Sequence, residues 1–225
     1  MAELLGMFPL QTVLFPNSAI RLHVFEERYR ALMADCRRGT GTFGVVLISR
    51  GSEVGGGDQR VDFGTVARIA QSAELGDGRL LVEAVGTRRF VVDEWLPDDP
   101  YPRARVDTVA ETDGAARGVA ETDGAARGVA DAKIAVVRLR SLLSELRDVP
   151  PLSHDLSLEG EPVEVGWQLC SLAPLGPFDR QALLEAAGLD ERMALLTAHC
   201  DAMAHDVSGL LAGESAGESA GESEA

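Results

Sequence analysis

The chain has 225 residues, enough for one large or two small domains, and its 45% hydrophobic and 25% charged residues are ordinary for a globular protein. A net charge of −15 makes a nucleic-acid backbone a poor partner for the protein as a whole. The charge is uneven, because residues 1–50 hold six Arg against four acids, a balance of +2 that leaves −17 for the remainder.

Lys133 is the only lysine beside twenty arginines, so a lysine-dependent mechanism has one candidate. Cys36, Cys170 and Cys200 are odd in number and far apart. They form neither a disulfide framework nor a metal spacing and suit a reducing compartment. The first Arg stands only at position 21, so the start lacks the positive region of a signal peptide. No apolar run approaches the roughly 18 residues of a membrane span. A cytoplasmic protein away from membranes is expected.

Residues 7–109 read as β-rich. The stretch VLFPNSAIRLHVFEERYRAL (13–32) reads as a strand, a turn and a second strand that becomes a helix after Phe25. In AIRLHV, Ile20, Leu22 and Val24 take one face and Arg21 and His23 the other. A helix is predicted from Glu26 to about Arg38, with Tyr29, Leu32, Met33 and Cys36 on its apolar face. Glu26 and Glu27 complement the positive end of its dipole, Arg37 and Arg38 the negative end, and Gly39 stops it. TFGVVLISR reads as a strand covered on both faces. VDFGTVARIA, RLLVEAVGT, RFVVDEW and RARVDTV come next as four further strands. Short strands at this spacing predict a strongly bent sheet or a small barrel.

ETDGAARGVA at 111–120 recurs without change at 121–130. Structural repeats run about 20 residues or more. The copy is therefore expected to be a duplication in a linker over 110–130, where doubling a loop costs only about 0.6 kcal/mol. A helical subdomain is predicted over 131–212. Its stripes are Ala135, Leu139, Leu142 and Leu146, then Val163, Trp167 and Cys170 in a helix starting near Pro162. DRQALLEAAG is a third helix. The heptad Leu189, Met193, Leu196, Cys200, Met203, Val207 and Leu210 closes the series. An intramolecular bundle is the expected use of that heptad, and a coiled-coil partner helix is the alternative. Residues 213–225 read as a disordered acidic tail.

Three segments match catalytic patterns and fail on context. GTGTFG (Gly39, Gly41, Gly44) follows a helix and precedes a strand, the reverse of the order a dinucleotide site requires. GESAG around Ser215 and Ser219 sits in polar low-complexity chain, whereas a nucleophile elbow needs a strand-to-helix turn. His199 and His205 are six apart and cannot share a helix face for a metal, while His23 and His154 read as solvated. No Gly-rich phosphate loop precedes Lys133. No catalytic residue, metal or cofactor is expected.

FPLQTVLFPNSAIRLHVFEERYRAL resembles the start of the Lon protease N-terminal, substrate-binding domain family, through Phe8, Pro9, Leu10, Leu14, Phe15, Pro16, Phe25, Glu26, Arg28 and Tyr29. The likeness continues at Phe43 and Gly44, at Gly64, and at Gly86, Arg89 and Phe90, and WQLCSLAPLGPFDRQALLEA resembles the helical tail of the same family. The resemblance implies an α+β fold, a PUA-like bent sheet or small barrel with one early helix, followed by a C-terminal helical bundle. It also implies a role. In Lon this domain helps to recognise unfolded or damaged polypeptides, while separate ATPase and Ser–Lys protease domains act on them. A free-standing, non-enzymatic polypeptide-binding module, an adaptor or weak holdase working with a protease or chaperone, is the expected reading. RNA binding, borrowed from the PUA-like fold, and a scaffold using the last helix are the alternatives. The motif residues are expected to serve mainly the fold.

Overall fold

A computed structural model describes residues 3–54, 57–111, 120–146, 149–153 and 156–221. Six strands and five helices run in the order β1 (Glu3–Leu10), β2 (Ala19–Val24), α1 (Glu27–Arg38), β3 (Thr42–Arg50), β4 (Gln59–Glu74), β5 (Leu80–Leu96), β6 (Arg103–Val109), α2 (Ala120–Glu145), α3 (Pro162–Leu172), α4 (Pro177–Glu185) and α5 (Leu189–Gly221). The chain divides into two units. One holds residues 1–111 together with Arg180–Glu185, and the other holds 112–179 and 186–225. The boundary expected at 109 therefore misses a late segment that groups with the strands.

The strands pair in the order β2-β5-β4-β3-β1-β6, and β5 also pairs with β6. The ring β5-β4-β3-β1-β6 thus closes on itself, so the small-barrel alternative is the one realised. Closure is local. Glu3–Gly6 of β1 pair with β6, and Arg89–Leu96 of β5 pair with β6. At the other end, Met7–Leu10 of β1 pair with β3 and Leu80–Val85 of β5 pair with β2. Among the described residues no ladder joins β2 to β1, so a seam opens between them. Two cores match the two ends. Leu5, Met7, Val46, Val66, Phe90, Ala104 and Val106 fill the closed end. Phe8, Leu22, Val24, Phe43, Leu80 and Val82 fill the open end, joined by Tyr29, Leu32, Met33 and Cys36. Those four are the predicted apolar face of α1, which plugs the open end.

RLLVEAVGT and RFVVDEW, read as two strands, form one. β5 runs unbroken through Gly86 and Thr87 because Gly86 is a point of close approach rather than a turn. A Cβ there would strike the carbonyl of Phe15. The backbones meet through Asn17 N–H to Gly86 O at 2.8 Å and Gly86 N–H to Ser18 O at 2.9 Å. Gly44 and Gly64 are packed as tightly, against Met7 and against Val45 O with Phe90. Pro16 and Asn17 form the turn before β2. Asn17 has φ 61°, and Ser18 N–H closes onto Phe15 O at 3.2 Å, as a turn with a left-handed third residue requires.

In the second unit α2 packs on α5 and α3 packs on both. Most of the heptad face is used there: Leu189, Met193, Leu196, Cys200 and Val207 are buried, Met203 is half-buried and Leu210 is exposed. Gly166 brings Leu189 close, and the buried Arg192 guanidinium lies 3.4 Å from the Trp167 ring centroid. The linker predicted over 110–130 is corrected at its second half. Copy 121–130 lies within α2. Its alanines and the absence of proline let the downstream helix propagate backwards, which costs less than nucleating a new one. The tail is corrected likewise, since α5 continues to Gly221. His154 and residues 222–225 lie outside the described residues.

Candidate functional site: an apolar groove at the barrel seam

A groove of about 400 Å³ lies at the seam. Its floor is made of Phe8, Leu10, Leu22, Val24 and Tyr29, all buried. Its rim carries Phe25 and Val54, which are 54% and 56% exposed. They are two of seven large apolar side chains exposed among the described residues, and they line the same groove. Arg21, His23, Glu26 and Glu53 supply the polar rim.

Each wall has a local cause. The alternation of β2 turns Leu22 and Val24 inward and leaves Arg21 and His23 exposed. Phe25 and Glu26 stand between β2 and α1, and the extended backbone of Glu26 starts the helix without a side-chain cap. Tyr29 stacks on Phe8 with ring centroids 4.3 Å apart. Burial pushes the Tyr29 phenol up to about 12, which the Arg28 charge only partly opposes, so it stays neutral. Arg28 braces the site. Its guanidinium lies 4.4 Å from the Tyr29 ring centroid, pairs with Glu26 at 3.1 Å and donates to Glu53 O at 3.3 Å. Gln11 N–H donates to the Glu53 carboxylate, and Gln11 Nε2 donates to Gly51 O at 3.4 Å. The stretch holding Glu53 and Val54 is thereby fastened to the end of β1.

The motif residues separate into two groups. Phe8, Leu10, Phe25, Glu26 and Tyr29 line the groove, and Arg28 braces it. Pro9, Phe15, Pro16, Phe43, Gly44, Gly64, Gly86 and Phe90 are buried in the barrel. Arg89 is also buried. It donates to Leu184 O at 2.9 Å and pairs with Glu111 at 2.7 Å, while Arg180 donates to Val13 O and Gln181 to Phe63 O. These bonds attach Arg180–Glu185 to the barrel. Val54 and Glu53 were missed, because a Gly-rich turn gives no sign that it will face Gln11 forty residues away. His23, which reads as solvated, and Arg21 on the same polar strand face stand on the rim.

The groove offers dispersion contact and burial to apolar side chains, with polar groups confined to its edge. Among the described residues no group of His, Cys, Asp and Glu could hold a metal ion. Ser215 and Ser219 fall within α5 rather than on a strand-to-helix turn. Lys133 is half-buried on α2, and His199 faces Asp179 at 3.5 Å. Among the described residues no helix is long and apolar enough to cross a membrane.

The chain is 34% identical over 109 residues to a Lon protease of Flavobacterium johnsoniae, a match covering 48% of this chain and 13% of that protein. It thus spans a small part of the curated relatives it matches. The crystal structure of a Lon N-terminal domain protein from Xanthomonas campestris superposes with a TM-score of 0.57 at 28% identity, covering 87% of this chain and 98% of that one. The N-terminal domain of Lon protease from the Mycobacterium avium complex shares the fold, with a TM-score of 0.58 at 16% identity, over 88% of this chain and 98% of that one. The family model for the substrate-binding domain of the ATP-dependent protease La (LON) matches residues 5–201, and the chain belongs to that family.

Proposed function

We propose that this protein binds unfolded or damaged polypeptides without chemistry of its own, as an adaptor or weak holdase that passes clients to a protease or chaperone. The observation that carries the reading is the groove, with a buried apolar floor and two exposed apolar side chains, Phe25 and Val54, at its mouth. Fully burying one aliphatic or aromatic side chain is worth about 1.5–3 kcal/mol. Two or three such anchors supply about 3–9 kcal/mol before the cost of ordering a chain, so backbone hydrogen bonds must add to them for affinity to approach micromolar, about −8 kcal/mol. The matched family model is that of a substrate-binding domain, not of a catalytic one, which supports binding as the activity. The three buried free thiols suit a cytoplasmic setting.

RNA binding is the weaker alternative. A phosphate chain needs many cations and would meet a single arginine, Arg21, on the rim of a groove in a protein of charge −15. The test titrates the full chain against a reduced, permanently unfolded protein and an RNA oligomer of similar length, at low and moderate salt. Micromolar binding to the polypeptide without nucleotide is expected. Binding to the RNA alone overturns the proposal.

A further inference from the structure

We infer that the seam takes its client as an added β-strand, paired with the free edge of β2, and prefers segments in which apolar and acidic residues alternate. This inference rests on the reading of the groove as a polypeptide site and adds the mode and the sequence class.

The free backbone groups of the seam lie on β2. This strand ends the strand order, and its one described ladder is with β5. Gly86 N–H donates to Ser18 O, so position 18 is hydrogen-bonded across the ladder. In an antiparallel pair such positions recur at every second residue. Ile20, Leu22 and Val24 therefore direct their amides to β5, and the amides and carbonyls of Ala19, Arg21 and His23 point to the seam.

The opposite wall is different. Met7 N–H donates to Pro102 O, away from β3. Two residues on, position 9 has the same orientation and faces the seam, and it is a proline. Pro9 has no N–H to offer, which blunts the β1 edge. The seam thus presents one competent strand edge, on β2, beside an apolar floor.

Side-chain chemistry sets the occupant. Arg21 and His23 are exposed on β2, and on the β5 side Arg21 stands opposite Glu83. The same pairing on the seam side needs a carboxylate from the incoming strand. A second copy of β2, laid antiparallel about position 21, would set Arg21 against its own equivalent, and like charges directly opposite destabilise a ladder. An extended client with an acidic residue beside Arg21 meets that cation, and the apolar residues alternating with it fall over Phe8, Leu22 and Tyr29. Backbone pairing needs no fixed sequence, which fits varied clients.

The test uses the full chain and fluorescent ten-residue peptides. One alternates Val and Asp, one has the same composition in two blocks, and two are alternating peptides N-methylated at every Val or at every Asp amide. The alternating peptide is expected to bind at least about tenfold more tightly than the block peptide, and one methylated peptide to lose about tenfold or more. Arg21→Glu is expected to shift the preference to a Val–Lys alternation. Equal binding of all four peptides, with the unfolded protein still bound, overturns strand addition and leaves the polypeptide site standing. Failure to bind the unfolded protein removes the underlying reading instead. Dimerisation of the chain in competition with the peptide would give the edge to a second copy and overturn the proposal.

Discussion

Deleting residues 111–120 is an informative perturbation because the two copies are identical, so removing either gives the same 215-residue protein. β6 ends at Val109 and α2 starts at Ala120, so ten residues connect them. The deletion removes that connection, and it can be remade only by unwinding the second copy from α2. Among residues 124–130 no side chain is buried, and the first buried residue of α2 is Ala132. The copy contains two glycines, a Thr and an Asp, so its helix is close to neutral in free energy. A Glu again comes directly after Ala110, so Arg89 keeps a carboxylate at the position of Glu111. The net change should stay below about 1 kcal/mol, or about 2–4 °C in Tm for a chain of this size. Far-ultraviolet circular dichroism should show about ten fewer helical residues. A Tm fall of about 10 °C, or an unchanged spectrum, would refute the reasoning.

Packing and charge yield three further predictions. Gly86→Ala should destabilise the protein by about 1–3 kcal/mol in urea unfolding, because the new methyl meets Phe15 O, while Gly76→Ala, with open space around it, should be nearly silent. Burial pushes the Cys36 and Cys200 thiols up to about 11 and about 12, so Ellman's reagent at pH 8 should label them only after denaturant is added, and rapid native labelling would contradict their burial. Burial also pushes the Asp58 carboxyl up, but the Arg60 guanidinium at 2.6 Å overcomes it and holds it below the usual carboxylate range. Its stabilisation is therefore present above about pH 4 and lost as pH falls through the lowered value. Asp58→Asn should lower stability at pH 7 and flatten the acid loss, and an unaltered pH profile would show that the Asp58 carboxylate does not stabilise the fold.

Much of the barrel was legible because period and burial coincide there. The face of Tyr29, Leu32, Met33 and Cys36 and the alternation of β2 are local patterns imposed by one apolar side. Gly86 misled, since a glycine that admits another backbone and a glycine that turns the chain look alike in sequence. The second decapeptide misled because its helix is propagated from the residues downstream of it and not from its own composition. The groove was half legible. Phe8, Phe25 and Tyr29 stood out as motif residues, yet the exposure of Phe25 and the arrival of Val54 depend on contacts of long sequence separation, Gln11 and Arg28 with the stretch around Glu53. Arg180–Glu185 joins the barrel unit for the same kind of reason: Arg89, 95 residues from Leu184, holds it there.

The central claim is that clients are held at the seam, and the most direct measurement compares paired surface variants. Phe25→Ser with Val54→Ser removes the two exposed anchors at the groove, and Leu4→Ser with Ile134→Ser removes two exposed apolar side chains elsewhere. Each full-length variant is titrated against the unfolded protein after its Tm is shown to match the parent. The groove pair should weaken binding at least about tenfold, as expected for the loss of two partly buried apolar contacts, and the control pair should change it less than about twofold. Equal affinities for the two variants would contradict the account.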